Sequence, residues 1–144
     1  MARRTVLLLA ATIGGCAAPS GPGASGDPNG TFSYLARIGP TPVVEGTLTL
    51  IVAADSSVTG SWELHRVPGS DPTVSVGPQL GNGPLAGQLT TAGVWLDLNP
   101  GWADNNVFVA LHPESAAELQ GTWDHSTIIG PVTGGSVRLL RVEH

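Results

Sequence analysis

From residue 31 onward, apolar and polar side chains alternate in short runs, broken at regular intervals by Gly, Pro and Asx/Ser clusters. In an extended chain, positions i, i+2 and i+4 lie on one face, so each run describes a strand with one apolar and one polar side. Eight such strands are predicted, at 31–38, 43–53, 57–67, 84–91, 93–98, 105–112, 117–126 and 132–142. The breaks carry turn chemistry: Gly39-Pro40, Ala54-Asp55-Ser56, Thr91-Ala92-Gly93, Asn99-Pro100-Gly101 and Gly130-Pro131. Most are short, which favours antiparallel neighbours. The best helical candidate, 113–119, is barely two turns long. The pattern predicts an all-β fold: an eight-stranded antiparallel up-and-down barrel, with a two-sheet β-sandwich as the alternative.

Within the strands a pentad recurs, apolar-x-Gly-x-apolar. It occurs as Val44-Glu45-Gly46-Thr47-Leu48, Val58-Thr59-Gly60-Ser61-Trp62, Leu85-Ala86-Gly87-Gln88-Leu89 and Leu119-Gln120-Gly121-Thr122-Trp123. A looser copy starts at Val132, with Gly135 placed as a bulge would place it. A glycine on the apolar face of a strand makes sense where the sheet bends sharply or another backbone comes close. With the pentad side inward, Val44, Leu48, Leu50, Val58, Trp62, Leu64, Leu89, Leu119 and Trp123 line the interior. Phe32 and Tyr34, Val94, Leu96 and Leu98, and Val107, Val109 and Leu111 join them. Thr47, Thr49, Thr59, Ser61, Glu63, Gln88, Thr122 and Asp124 face solvent, and Trp95 is outward as well.

Charge narrows the partners. Charged residues are 12% of the chain, about half the usual share, and lysine is absent. Nucleic acid is bound through basic clusters, so no nucleic-acid partner is expected. The chain has no G-x-S-x-G elbow and no His/Asp cluster with metal spacing, so neither an enzyme, a metal site nor a cofactor is predicted. The G-x-G-x-x-G string at 21–26 lies in a Gly/Pro/Ser stretch without the strand and helix that the dinucleotide motif needs.

The amino terminus has an address of its own. Arg3 and Arg4 precede a short apolar run from Val6 to Ile13, then Gly14 and Gly15, the order of a secretory signal. The run is too short to span a bilayer, which takes roughly 20 residues. Ile13-Gly14-Gly15-Cys16 resembles the lipobox of bacterial lipoproteins. That resemblance implies a signal peptide over 1–15 and acylation of Cys16. By composition, Gly, Pro, Ser and Ala with one charge, the stretch up to residue 30 reads as a flexible tether. This divides the chain into 1–15, 16–30 and a barrel domain over 31–144. The resemblance also implies a membrane partner reached through the N-terminal lipid. Cys16 is the only cysteine, so no disulfide is expected within the chain. After removal of 1–15, four arginines face eleven acids, a formal charge of −7, which argues against docking on anionic lipid by charge. Ala17 is not acidic, which by the family's sorting rule points to the outer membrane of a two-membrane cell, facing the periplasm or the exterior.

A second resemblance covers about a third of the domain. Leu48–Leu64, LTLIVAADSSVTGSWEL, is similar to the second and third strands of avidin-type barrels, and the repeated G-[ST]-W is similar to small lipocalin-like domains. It implies a meander barrel; biotin binding is not implied, because Trp62 and Leu64 stand where polar ligand positions would fall. Two functional expectations remain open. In the first, Tyr34, Trp62, Trp123 and the inward His125 line a cavity for a small apolar or amphipathic ligand. In the second, the interior is packed, and the barrel is a structural or inhibitor-like interaction protein of the envelope. Trp95 and the loop residue Trp102 are the candidate contacts there. The 97–106 loop, rich in Asp and Asn, reads as a turn rather than a calcium site, and Glu63 and His65 form an outward pair.

Overall fold

The computed structural model describes residues 27–143; Cys16 and the signal-like segment lie outside them. Eight strands follow one another: β1 (Gly30–Ile38), β2 (Thr41–Val52), β3 (Ser57–Arg66), β4 (Gly81–Thr90), β5 (Gly93–Asp97), β6 (Asn105–Ser115), β7 (Glu118–Thr127) and β8 (Gly130–Arg141). Each pairs antiparallel with the next, and β1 pairs with β8, closing an up-and-down barrel. Closure excludes the sandwich. It also leaves no edge strand exposed for pairing with another chain.

The pentad explains how so small a barrel closes. Its glycines point inward, flanked in register by large residues: Gly46 between Tyr34 and Leu64, Gly60 between Leu50 and Leu85, Gly87 between Val58 and Leu96, Gly121 between Leu111 and Val137. A Cβ added at these positions would land on the carbonyl oxygens of Glu63, Thr49, Trp95 and Ala110 in the adjacent strands. The coiled sheet brings backbone to where a side chain would otherwise stand. At Gly46 and Gly60 a positive φ (150° and 159°) adds a conformational reason. The bulge expected at Gly135 is displaced. Gly135 pairs in register with Trp123 and Gly134 with Asp124, and the ladder instead skips Val132. A Cβ at Gly135 would strike the Arg37 carbonyl, so this glycine serves close approach rather than an inserted residue.

The inward rows form one core, including Phe32, Tyr34, Leu48, Trp62, Leu96, Val109, Trp123 and Leu139. Every residue assigned inward from the alternation is buried except Leu89, which is partly buried against that core. Apolar-in and polar-out is the reverse of a membrane-spanning barrel. Core residues come from the strands, from Leu98 just past β5 and from Val76 of the β3–β4 connection. All of these core residues fall between Phe32 and Leu139.

Antiparallel order gives the barrel two ends. The turn end carries the β2–β3, β4–β5 and β6–β7 connections and the start of β1. The loop end carries the β1–β2 and β7–β8 hairpins and the two long connections, 67–80 and 98–104.

Candidate functional site

The inward aromatics expected to wall a ligand cavity have their polar atoms bonded by the chain itself. The Tyr34 hydroxyl donates to Gln79 Oε1 (2.8 Å), and Gln79 Nε2 donates to the Val76 carbonyl (2.7 Å). Gln79 is fully buried, so the β3–β4 connection enters the loop-end mouth of the barrel as a plug. Burial drives the Tyr34 hydroxyl far above its ordinary pKa, because the phenolate would lack solvation. Trp123 Nε1 donates to the Arg37 carbonyl (3.2 Å). Trp62 Nε1 is shared between the Leu98 carbonyl (2.7 Å) and the Pro84 carbonyl (3.2 Å).

His125 faces inward at the loop end. Its Nε2 lies 2.7 Å from Asn105 Oδ1, and its Nδ1 has no partner. Gly77 of the plug packs so closely on the imidazole that a Cβ there would meet the ring. His125 therefore supports the plug and is paired with an amide rather than an acid. Asp124, on the opposite face, accepts from Ser126 Oγ (2.9 Å). His65 pairs with Glu45 on the outer wall (3.3 Å) rather than with Glu63.

In the 97–106 loop the side chains of Asp97, Asn99 and Asn106 bond to one another and to nearby backbone. Asn106 Nδ2 donates to Asp97 Oδ2 (2.9 Å) and to the Asn99 carbonyl (3.0 Å). Asn99 Oδ1 accepts from the Val107 amide (3.1 Å), and Asn99 Nδ2 donates to the Pro78 carbonyl (2.8 Å). That last bond staples this loop to the plug. Between them opens a cleft of about 380 Å³, lined among others by Trp62, Pro78, Leu80, Asn82 and Trp102. Trp62 and Trp102, predicted for different roles, thus meet at one site. Tyr34, Trp123 and His125 do not line it.

Trp102 is 59% exposed at the tip of its loop. Trp95 lies on the outer wall, 43% exposed, with its ring stacked on Phe108 at 5.3 Å.

Two features escaped the sequence reading. One is the plug, whose signal was Val74-Ser75-Val76 inside a turn-rich stretch. The other is the β7–β8 hairpin tip, where Ile128 and Ile129 are 84% and 92% exposed. Thr127-Ile128-Ile129-Gly130 is built on the same scaffold as Thr90-Thr91-Ala92-Gly93 between β4 and β5. In each, two residues join paired Thr and Gly, the Gly has positive φ, and the Thr hydroxyl donates to the Gly carbonyl (3.4 Å and 3.1 Å). The turn itself therefore does not require isoleucine. Leu80 and Val132 are also exposed near this end. No protein-family model and no curated protein matches the sequence.

Proposed function

We infer that this chain is a lipid-anchored protein of the cell envelope whose barrel is a solid carrier for a docking surface at its loop end. What supports this reading above all is the Tyr34–Gln79–Val76 chain of hydrogen bonds. A ligand inside the barrel would have to expel Gln79 and strand the Tyr34 hydroxyl, and an unsatisfied buried polar group costs roughly 1–3 kcal/mol. Trp62 and Trp123 are saturated in the same way. The exposed apolar residues of the loop end then carry the work, and Cys16 supplies the membrane anchor.

Each half has its own test. Mass analysis of the N-terminal peptide from envelope membranes should find Cys16 acylated, and Cys16→Ser should release the protein from the membrane fraction. An unmodified Cys16 would end the anchoring half. Native mass spectrometry of residues 27–144 should give the bare chain mass. A retained small molecule, lost on denaturation, would overturn the packed-carrier half.

One observation favours a second reading. The Trp62–Trp102 cleft, at about 380 Å³, is in the size range of small-molecule sites, and its rim is apolar with one amide, Asn82. An apolar dye that binds there should lose affinity in Trp102→Ala with the melting temperature unchanged. Equal binding by that variant would remove the cleft from consideration.

A further inference from the structure

We propose that the loop end docks on a lipid bilayer, with Ile128, Ile129 and Trp102 entering the interface. This rests on the docking reading above and names the partner. The first argument is the paired turns. The two T-x-x-G hairpins share a scaffold, yet the copy at the turn end holds Thr91-Ala92 and the copy at the loop end holds Ile128-Ile129. β-Branched apolar residues are poor choices for an exposed turn, and at 84% and 92% exposure these two are covered by nothing among the described residues. Local structure leaves them unexplained; an outside apolar phase explains them.

The second argument is shape. Asn105 pairs with Thr127, so the loop that bears Trp102 and the tip that bears the isoleucines extend past the same last rung of the barrel. Leu80 lines the same cleft as Trp102. These residues project from separate points around one rim. A protein partner is held through a contiguous, shape-matched patch, whereas a bilayer requires only that tips reach one depth. Tryptophan suits that depth, with an apolar ring and a polar edge.

The third argument is charge. Lysine is absent, and the two arginines near this end keep their charge but are engaged by carbonyls of the chain itself. Arg37 donates to the Pro40 carbonyl (2.9 Å), and Arg66 to the carbonyls of Asp71 and Val74 (3.2 and 3.1 Å). Attraction to anionic lipid therefore contributes nothing to the docking, which is apolar and does not weaken as salt rises.

Chain length permits it. Ten residues lie between Cys16 and Asp27, which enters at the turn end, and the eleven steps at 3.3–3.6 Å each reach at most about 40 Å. A 12-residue strand tilted by about 40° stands roughly 30 Å tall. The loop end can thus be turned back onto the membrane that holds the anchor.

The test is flotation of residues 27–144 with phosphatidylcholine vesicles, comparing the wild-type sequence with Ile128→Thr/Ile129→Ala. The variant copies the sister turn, so it keeps the fold, and a thermal melt verifies this. The wild type should float, and the variant should partition at least tenfold less, about 1.4 kcal/mol. A tenfold rise in salt should weaken neither. Trp102 fluorescence should shift to the blue with vesicles, and the shift should vanish in Trp102→Phe. Equal partition of the two proteins, flotation abolished by salt, or no flotation by either would overturn the proposal. A photocrosslinker at position 129 that joins an envelope protein while nothing floats would assign the surface to a protein partner instead, leaving the docking reading intact. Residues 27–144 lack Cys16, so the outcome is independent of the acylation test.

Discussion

The turn end and the loop end of the barrel are closed by different means. At the turn end each connection is tied by a side chain of its own. The Asp55 carboxylate accepts from the Ser57 amide (3.0 Å) and hydroxyl (2.6 Å), with Ser56 at φ 67°. Thr90 Oγ1 accepts from the Ala92 amide (3.2 Å), and Ser115 Oγ from the Ala117 amide (3.2 Å). These bonds span two residues and form as soon as the hairpin does. At the loop end the bonds bridge distant parts of the chain: Tyr34 to Gln79, Asn99 to Pro78, Trp62 to Leu98, Trp123 to Arg37. The hairpins of the turn end are polar and locally tied, and longer side-chain bonds there come from the two chain ends, Asn29 to Val52 and Arg141 to Asn29. The loop end is sealed by tertiary contacts and leaves its apolar tips outside. The difference teaches that the same meander can devote one end to chain reversal and the other to contact.

The contrast can be broken hardest at the plug. Gln79→Ala removes a fully buried side chain, strands the Tyr34 hydroxyl and leaves a cavity, so chemical denaturation should register a loss of about 2–4 kcal/mol. A loss no larger than that of a surface substitution would mean that the plug is dispensable and the two ends are alike.

Next comes alkali. Tyr34 is the only tyrosine, and its folded pKa is raised by burial. Stability is therefore fully present below the ordinary value near 10, and declines above it as the unfolded chain releases a proton that the native state retains. Phenolate absorbance should appear together with unfolding rather than before it. Tyr34→Phe should start about 1–3 kcal/mol less stable, from the stranded Gln79, and should lack that part of the alkaline slope. Phenolate absorbance in a fully folded barrel would reveal an open mouth.

The turn end should respond to acid instead, and less. Asp55 is held below its ordinary pKa chiefly by the Ser57 hydroxyl and then by the Ser57 amide. Its contribution is present above the ordinary carboxylate range and is lost as pH falls through the depressed folded value. Thermal melts of Asp55→Asn and wild type should converge at low pH and separate slightly near neutrality. A constant gap at all pH values would remove the carboxylate from the account.

The smallest effect on stability belongs to the tips. Ile128→Thr/Ile129→Ala should leave the melting midpoint within the spread of surface substitutions, about ±0.5 kcal/mol, whatever it does to vesicle binding. A large destabilisation would make the isoleucines part of the fold and spoil the comparison with Thr91-Ala92.

Legibility followed the same division. Alternation located all eight strands and their inward faces, because period-2 burial is written residue by residue along each strand. β4 was missed by three residues at its start, since Gly81, Asn82 and Gly83 carry no apolar signal, yet they pair with Leu64, Glu63 and Trp62. Among the candidate residues, facing was readable and environment was not. Tyr34, Trp62, Trp123 and His125 do point inward, but alternation is blind to Gln79, more than forty residues from Tyr34, arriving to take its hydroxyl. Trp95, read as outward, is on the outer wall, and Trp102 is on its loop at the mouth of the cleft. Ile128 and Ile129 went unnoticed because two apolar residues in a row resemble a strand end until the hairpin places them at its tip.

The sequence by itself determined the strands, the inward glycines and the turn-end hairpins, because each depends on positions a few residues apart whose chemistry is visible locally. It also carries the lipobox-like signal, which lies outside the described residues. Tertiary structure decided barrel closure, the filling of the loop-end mouth and the meeting of Trp62 with Trp102. Those outcomes depend on which distant groups reach one another, and that is settled only when the coiled sheet closes and buried polar atoms must find partners within the chain.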